Sequence, residues 1–386
     1  MVVTLVSSVS LSSFAVWSLA KKVSDNAFTI GTEAEVPNIS VGEIEGGFNL
    51  LVVGVDNDPE QGDAYGVRNG TLNDVNILVH VAADHESVTA VSIPRDLIIA
   101  HPSCTDSDTG TVYAAMSAQP VNVAYSRGGM SCVVSTIENL TGLSIAYAAQ
   151  FTFKAVVKMT DAVGGVTVCL SDDIDDDDAG LHLEAGMQTI SGKTALGFLR
   201  TRHGVGDGSD LSRISVQQIY LSALMRKVKS SDTLSNPTKL YKLADAAATY
   251  VKLSTSLASA DTMIAMAKTL RTVDLDKISF IQYPGSTGST TYPGKVVPNV
   301  TAATALFTAL KNDQAVKASS VGRASEESTA TATATDEATD TATATPSDTA
   351  TATDSATPTD EATSETISGT YGQTADQETC ARGYLK

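Results

Sequence analysis

The 386-residue sequence has few of the groups that usually announce chemistry. It has no C-x-x-C pair among its four cysteines, which argues against a structural zinc site. It has no basic stripe. Of the formal charge of -18, residues 324–386 carry -10, with 12 acids against Arg382 and Lys386, so the remainder is only mildly acidic. That balance excludes nucleic-acid binding as the main activity. None of the five histidines offers an obvious general base, and His203 reads as a bystander beside two arginines. The acidic run 172–178 has six aspartates in seven positions but lacks the central glycine and terminal glutamate of a calcium loop, so it reads as a solvated loop.

The chain is long enough for one large or two medium domains with a sizeable core. Residues 2–20 are uncharged and mostly apolar, closed by Lys21 and Lys22. That is near the minimum length of a membrane span. A cleaved signal peptide is the rival reading. The lack of a convincing cleavage site favours an uncleaved anchor over residues 1–22, followed by a polar spacer over 23–46. Four cysteines in a chain that leaves the cytoplasm suggest two disulfides, with three connectivities open. Pairing 104 with 132, and by remainder 169 with 380, is favoured. Residues 324–367 are low-complexity Thr-Ala with scattered acids and have almost nothing to bury. They are expected to be disordered, within an acidic tail over 316–368. Residues 369–386 regain structured features around Cys380.

Between these ends the pattern is α/β. Residues 48–56 form a continuous apolar run ending in Asp56, as in a strand buried on both faces. Residues 74–81 and 88–93 read as a strand hairpin, so the sheet is at least partly antiparallel. Pro94 ends the second strand and hands Arg95 and Asp96 to a loop, where α/β proteins usually place their chemistry. Helices are predicted over 114–126, 133–141, 151–162, 191–199, 211–229, 237–253, 258–270 and 301–312. Gly128 and Gly129 break the first pair, Gly142 and Gly164 act as stops, and Asp210 caps the fifth. Strands are predicted at 166–170 and 278–284.

Asp56 and Asp74 flank successive strands, and two carboxylates brought together favour a hard divalent cation, which fits magnesium. Arg200 and Arg202 share one face of an extended stretch. Arg213 and Gln217 share one face of a helix whose start favours an anion. With Arg95 they could cage a phosphate group, since guanidinium forks match its oxygens. Each alone reads as an ordinary surface residue, and the cage requires the fold to bring them together.

The ordered blocks Leu50-Leu-Val-Val-Gly-Val-Asp56, Leu72-Asn-Asp-Val-Asn-Ile77, Ser92-Ile-Pro-Arg-Asp96, Asn122-Val-Ala-Tyr-Ser-Arg-Gly-Gly129, Thr160-Asp-Ala-Val-Gly-Gly-Val166, Leu199-Arg-Thr-Arg-His203 and Asp210-x-x-Arg-x-x-x-Gln217 resemble the LytR-CpsA-Psr family. The resemblance covers about residues 47–312, with the catalytic domain over 47–315. It implies a three-layer α/β/α domain with a mixed central sheet and a hydrophobic groove for a polyprenyl lipid. The implied activity is extracytoplasmic, magnesium-dependent phosphotransfer, at the membrane, of a glycopolymer from a polyprenyl-pyrophosphate carrier to a peptidoglycan hydroxyl.

By motif, Asp56 and Asp74 correspond to the magnesium ligands, and either Asp74 or Asp96 could accept the proton of the acceptor hydroxyl. Arg95, Arg200, Arg202 and Lys158 correspond to pyrophosphate contacts, with Asp210, Arg213 and Gln217 as the remaining polar positions. Leu72 stands where many members have arginine, and Arg68 is the nearby substitute. Details of the second block and the cysteines resemble actinobacterial members, which points to arabinogalactan or another wall polysaccharide as cargo. A polyprenyl-pyrophosphate phosphatase, a protein–glycan ligase and a non-enzymatic lipid- or wall-binding regulator are the alternatives.

Overall fold

The computed structural model describes residues 18–31, 36–37, 39–40, 43–57, 70–328 and 364–384. Its centre is an eight-stranded mixed sheet. In chain order its strands are β1 (Phe48–Val55), β2 (Asn73–Val81), β3 (Val88–Ile93), β4 (Tyr147–Phe151), β5 (Val251–Leu253), β6 (Ile278–Gln282), β7 (Val316–Ser320) and β8 (Glu365–Thr374). Their spatial order is β5-β4-β1-β2-β3-β6-β8-β7. The pairs β4–β1, β3–β6 and β8–β7 are parallel, and the others are antiparallel.

Strand alternation sorts the apolar side chains onto two faces. Leu51, Val53 and Val55 of β1, with Val91 and Ile93 of β3, pack against α1 (Ala124–Thr141) through Val133, Val134 and Ile137. Leu306, Phe307 and Leu310 of the last helix, α7 (Val300–Lys311), join the same cluster. The opposite face presents Leu50, Val52, Val88, Ala90 and Phe280. That face is covered by α6 (Ala260–Thr272) and by Leu221 and Met225 of the long helix α4 (Asp210–Lys229). At the β4 edge lie α2 (Phe153–Val163) and α5 (Pro237–Tyr250). The result is the expected three-layer α/β/α architecture.

A smaller four-stranded sheet, ordered 186–190, 166–170, 379–381, 325–327, packs on α4 and on α3 (Gly192–Arg200). Both favoured disulfides are present. Cys104 pairs with Cys132, and Cys169 pairs with Cys380 across adjacent parallel strands.

Several expectations change. Residues 114–126 are not one helix: Met116–Pro120 is a strand paired with Ile98–His101, followed by a short turn of 3-10 helix. Cross-strand pairing overrides the local helical composition there. The glycine break holds as a kink inside α1, where Gly128 and Gly129 leave helical geometry and Gly129 takes φ +60. Residue 151 ends β4 rather than opening a helix, and Thr152 caps α2 by accepting the Ala155 N–H. Residues 251–253 are an edge strand. Ser209, not Asp210, caps α4, its side chain accepting the Ser212 N–H.

The boundary at 315 falls too early, because β7, the strand Ser325–Glu327 and β8 all belong to the sheets. Within the tail, residues 329–363 lie outside the described residues. Residues 1–17 of the expected anchor do too, and among the described residues no helix is long and apolar enough to cross a membrane.

Buried His80 on β2 faces Asn49 and Asp313. Burial outweighs the Asp313 carboxylate and pushes its pKa below 6.5. The folded chain therefore favours neutral imidazole, and this contribution is full above the unfolded pKa and declines as pH falls below it. His80→Gln should flatten the fall in unfolding free energy on acidification from pH 7 to 5, measured by urea titration at each pH. Because β8 lies between β6 and β7, a chain ended at Lys317 should lose its cooperative thermal transition. A wild-type melt of that chain by circular dichroism would contradict this topology.

Candidate functional site

The site starts from an irregularity in the sheet. Gly54 pairs with Val75 and Val55 with Asn73, so Asp74 is the extra residue of a bulge. A bulge re-aims its side chain, here towards the cavity beside β3's end. Asn73 fixes the neighbourhood: its Nδ2 donates to Asn76 Oδ1 at 2.7 Å, and its Oδ1 accepts the Tyr125 N–H at 3.0 Å. The Arg95 carbonyl accepts the Asn122 N–H at 3.0 Å, so β2, the Arg95 loop and the start of α1 are tied together.

Arg95 donates from its guanidinium to Asp74 Oδ2 at 2.8 Å, and its backbone N–H donates to Asp210 Oδ2 at 3.0 Å. Asp210 Oδ1 lies 2.5 Å from Arg213 Nη2, which also reaches the Asp74 carbonyl at 3.0 Å. Burial works against the Arg95 charge, but Asp74, Asp210 and Asp96 outweigh it and push its pKa above the ordinary arginine value. Burial moves Arg213 the other way, with Arg95 and Arg202 acting in the same direction against Asp210. Gln217, one turn on, donates to the Leu199 carbonyl at 2.9 Å and ties α4 to the end of α3. At that end the Arg200 guanidinium lies 4.6 Å from the centre of the Phe153 ring, a cation–π contact.

These groups close one end of a cavity of ≈ 480 Å³ between the sheet and helices α2 to α5. Asp74, Arg95, Arg200, Arg202, Arg213 and Gln217 line it, and so do Asp176, Asp178 and His203. Most of the rest of its wall is apolar, including Val52 and Ile77 from the sheet, Met159 from α2, Leu196 from α3 and Leu224 from α4. Among the described residues, buried Asp74 Oδ1 and the Nε atoms of Arg95, Arg202 and Arg213 have no hydrogen-bond partner.

Lys158, Asp56 and Asp96 stand apart from the cavity lining. Lys158 is exposed on α2 and does not line the cavity. The lining positions there are 156, 159, 160 and 163, and at 3.6 residues per turn residue 158 falls on another face. Asp56 is buried just past β1, outside the lining, with its Oδ1 accepting the Leu72 N–H at 2.8 Å. Arg68 lies outside the described residues. Asp96 is held by Lys295 at 2.6 Å and does not line the cavity.

Reading the sequence missed Asp176. The run 172–178 is not simply a solvated loop, because Ile174–Asp176 is a strand paired with Leu181–Leu183. Its alternation buries Ile174 and Asp176 and exposes Asp175. A buried aspartate within an acidic run had one available signal, the period-two pattern Ile-Asp-Asp after a turn.

A family model, that of the LytR_cpsA_psr family, matches residues 13–319. The chain belongs to this family. Among known relatives, the cell wall biosynthesis protein LcpA of Corynebacterium glutamicum is 33% identical over 227 residues, covering 52% of this chain and 44% of that protein. TagT of Bacillus subtilis, a polyisoprenyl-teichoic acid–peptidoglycan teichoic acid transferase, is 26% identical over 242 residues, covering 61% and 69%. The chain spans about half the length of the first curated relatives it matches. A LytR-Csp2A-Psr enzyme from Actinomyces oris shares the fold with a TM-score of 0.52 at 20% identity, covering 72% of this chain and 96% of that one. TagT bound to LI-WTA gives 0.52 at 20% identity, covering 74% and 98%.

Arg213 and Asp210 form an almost fully buried pair. Arg213→Leu should cost about 3–5 kcal/mol because it strands the Asp210 charge. Combining it with Asp210→Asn should restore much of that loss. Urea unfolding of the two single variants and the double variant checks the coupling.

Proposed function

We propose that the chain is an extracytoplasmic phosphotransferase of cell-wall assembly, moving a glycopolymer from a polyprenyl-pyrophosphate carrier to a peptidoglycan hydroxyl. The observation that carries this reading is the junction of two environments: four arginines, with Arg213 buried and Arg95, Arg200 and Arg202 half-buried, line a largely apolar cavity. An isoprenoid tail suits the apolar wall, since burying hydrocarbon is favourable. A pyrophosphate suits the arginine end, where guanidiniums match phosphate oxygens. The two disulfides suit an oxidising compartment. Residues 1–22 would anchor the chain at the membrane.

In this reading the acceptor hydroxyl attacks the sugar-proximal phosphorus and polyprenyl phosphate leaves. Arg95, Arg200, Arg202 and Arg213 hold the phosphates and stabilise the charge that spreads over them, so positioning is the protein's main contribution. Asp74 and Asp210 keep Arg95 oriented. Of the three carboxylates beside Arg95, Asp210 is paired with Arg213 and Asp96 with Lys295, and Asp74 alone of them lines the cavity. Its Oδ1 fits a divalent cation, because it is a buried anionic oxygen without a hydrogen-bond partner among the described residues. Asp74 would hold magnesium, while Asp56 lies outside the cavity lining with Oδ1 taken by the Leu72 N–H. The ion, when bound, would neutralise phosphate charge.

The full chain, a polyprenyl-pyrophosphate oligosaccharide and a peptidoglycan acceptor test this directly. Release of polyprenyl phosphate with sugar joined to the glycan is expected, lost on chelation. Arg95→Ala and Arg202→Ala should each lower the rate by about 100-fold or more. Release without linkage in the presence of a competent acceptor would make the enzyme a phosphatase. Lipid binding with no release under any acceptor would make it a binding module.

A further inference from the structure

We infer that Asp176 is a positioning residue for the arginine end of the cavity: its buried carboxylate builds the 201–203 turn that presents Arg202. The inference rests on the pyrophosphate reading of that cavity and adds to it a residue that lines the cavity but acts through the turn it builds.

Asp176 is 5% exposed, and both of its oxygens are used. Oδ2 accepts three hydrogen bonds, from the Thr201 hydroxyl at 2.7 Å, the Arg202 N–H at 3.0 Å and the His203 N–H at 3.1 Å. Oδ1 accepts the Ala179 N–H at 3.1 Å, which closes the turn of its own hairpin. One carboxylate thus joins the 174–183 hairpin to the segment that leaves α3. Thr201 is fully buried and Gln217 anchors the Leu199 carbonyl just before it, so the turn is fixed from two sides.

The turn is shaped around this strand. A Cβ at Gly204 would sit 2.9 Å from the Asp175 carbonyl oxygen and 2.9 Å from Thr201 Oγ1, closer than side-chain atoms approach. The acid is also held ionised. Burial raises its pKa, but the bonds from Thr201, Arg202 and Ala179 outweigh burial and bring it below the ordinary aspartate value.

The identity of the acceptor matters. An asparagine has one carbonyl oxygen, so it can serve the Ala179 side or the 201–203 side, and its amide would face donors at the other. The hairpin and core should survive that exchange, while the turn loses the bonds that set Arg202. Arg202 Nε is buried and without a hydrogen-bond partner among the described residues, and its backbone N–H is fixed by Asp176. A neighbouring cluster of Asp176, Asp178 and His203 brings ligand atoms within 4.8 Å of one another. Oδ2 already takes three donors there, which leaves that carboxylate little capacity for a cation.

The test compares two probes on the full chain, geranylgeranyl pyrophosphate and geranylgeraniol, by calorimetry. Asp176→Asn should weaken binding of the pyrophosphate by about 10–100-fold, the scale of a displaced binding group. Binding of the alcohol and the melting temperature should stay near the wild type. Thr201→Val, which removes one of the three bonds, should show a smaller loss, and Thr201→Ser should restore it. Equal weakening of both probes would reduce Asp176 to a folding residue and overturn the inference. An unchanged pyrophosphate affinity in Asp176→Asn would overturn it while leaving the proposed function intact. Wild-type binding of the pyrophosphate no tighter than the alcohol would overturn both, since no anion site would exist to be positioned.

Discussion

The carboxylate of Asp210 is the constraint on which the site depends. It accepts the Arg95 backbone N–H and pairs with Arg213, and so fixes the end of β3 to the start of α4. Asp74 completes a quartet of two arginines and two aspartates. The quartet carries no net charge, which is how four ionised groups tolerate a largely buried position; an unbalanced set would face a heavy desolvation cost. Arg200 and Arg202 line the same cavity, as do Asp176 and Asp178, and the rest of the wall is mostly apolar.

The cavity divides into an apolar wall and a charged part. The apolar wall is drawn from one face of β1 and β2 and from four helices, all of which would otherwise close into core. The charged end is drawn from a strand bulge, the loop after β3, the end of α3 and the start of α4. Catalytic groups held on element ends against a packed scaffold keep their geometry without needing the ligand to order them. The second sheet braces that end, through Asp176 on the adjoining hairpin and through α4, against which it packs.

Much of this was legible in the sequence. Buried strands show as continuous apolar runs, as at residues 48–56, and the spacings Arg-Thr-Arg and Arg-x-x-x-Gln place their side chains on shared faces. The motif order then brought Asp74, Arg95, Arg200, Arg202, Asp210, Arg213 and Gln217 into one neighbourhood. What could not be read depends on long-range pairing. Residues 116–120 become a strand only because 98–101 lies beside them. Strand β8 enters the main sheet from far along the chain, so no local pattern announces it. Asp176 was hidden by composition: among six aspartates, one is buried, and a charge census cannot say which. Lys158 is a motif position on a helix face that leaves it exposed.

The most direct measurement is the crystal structure of the full chain with geranylgeranyl pyrophosphate. The account predicts the isoprenoid chain between the sheet and helices α2 to α5, with the pyrophosphate against Arg95, Arg202 and Arg213. A ligand bound elsewhere on the surface, or one lying reversed with its pyrophosphate away from these arginines, would contradict it.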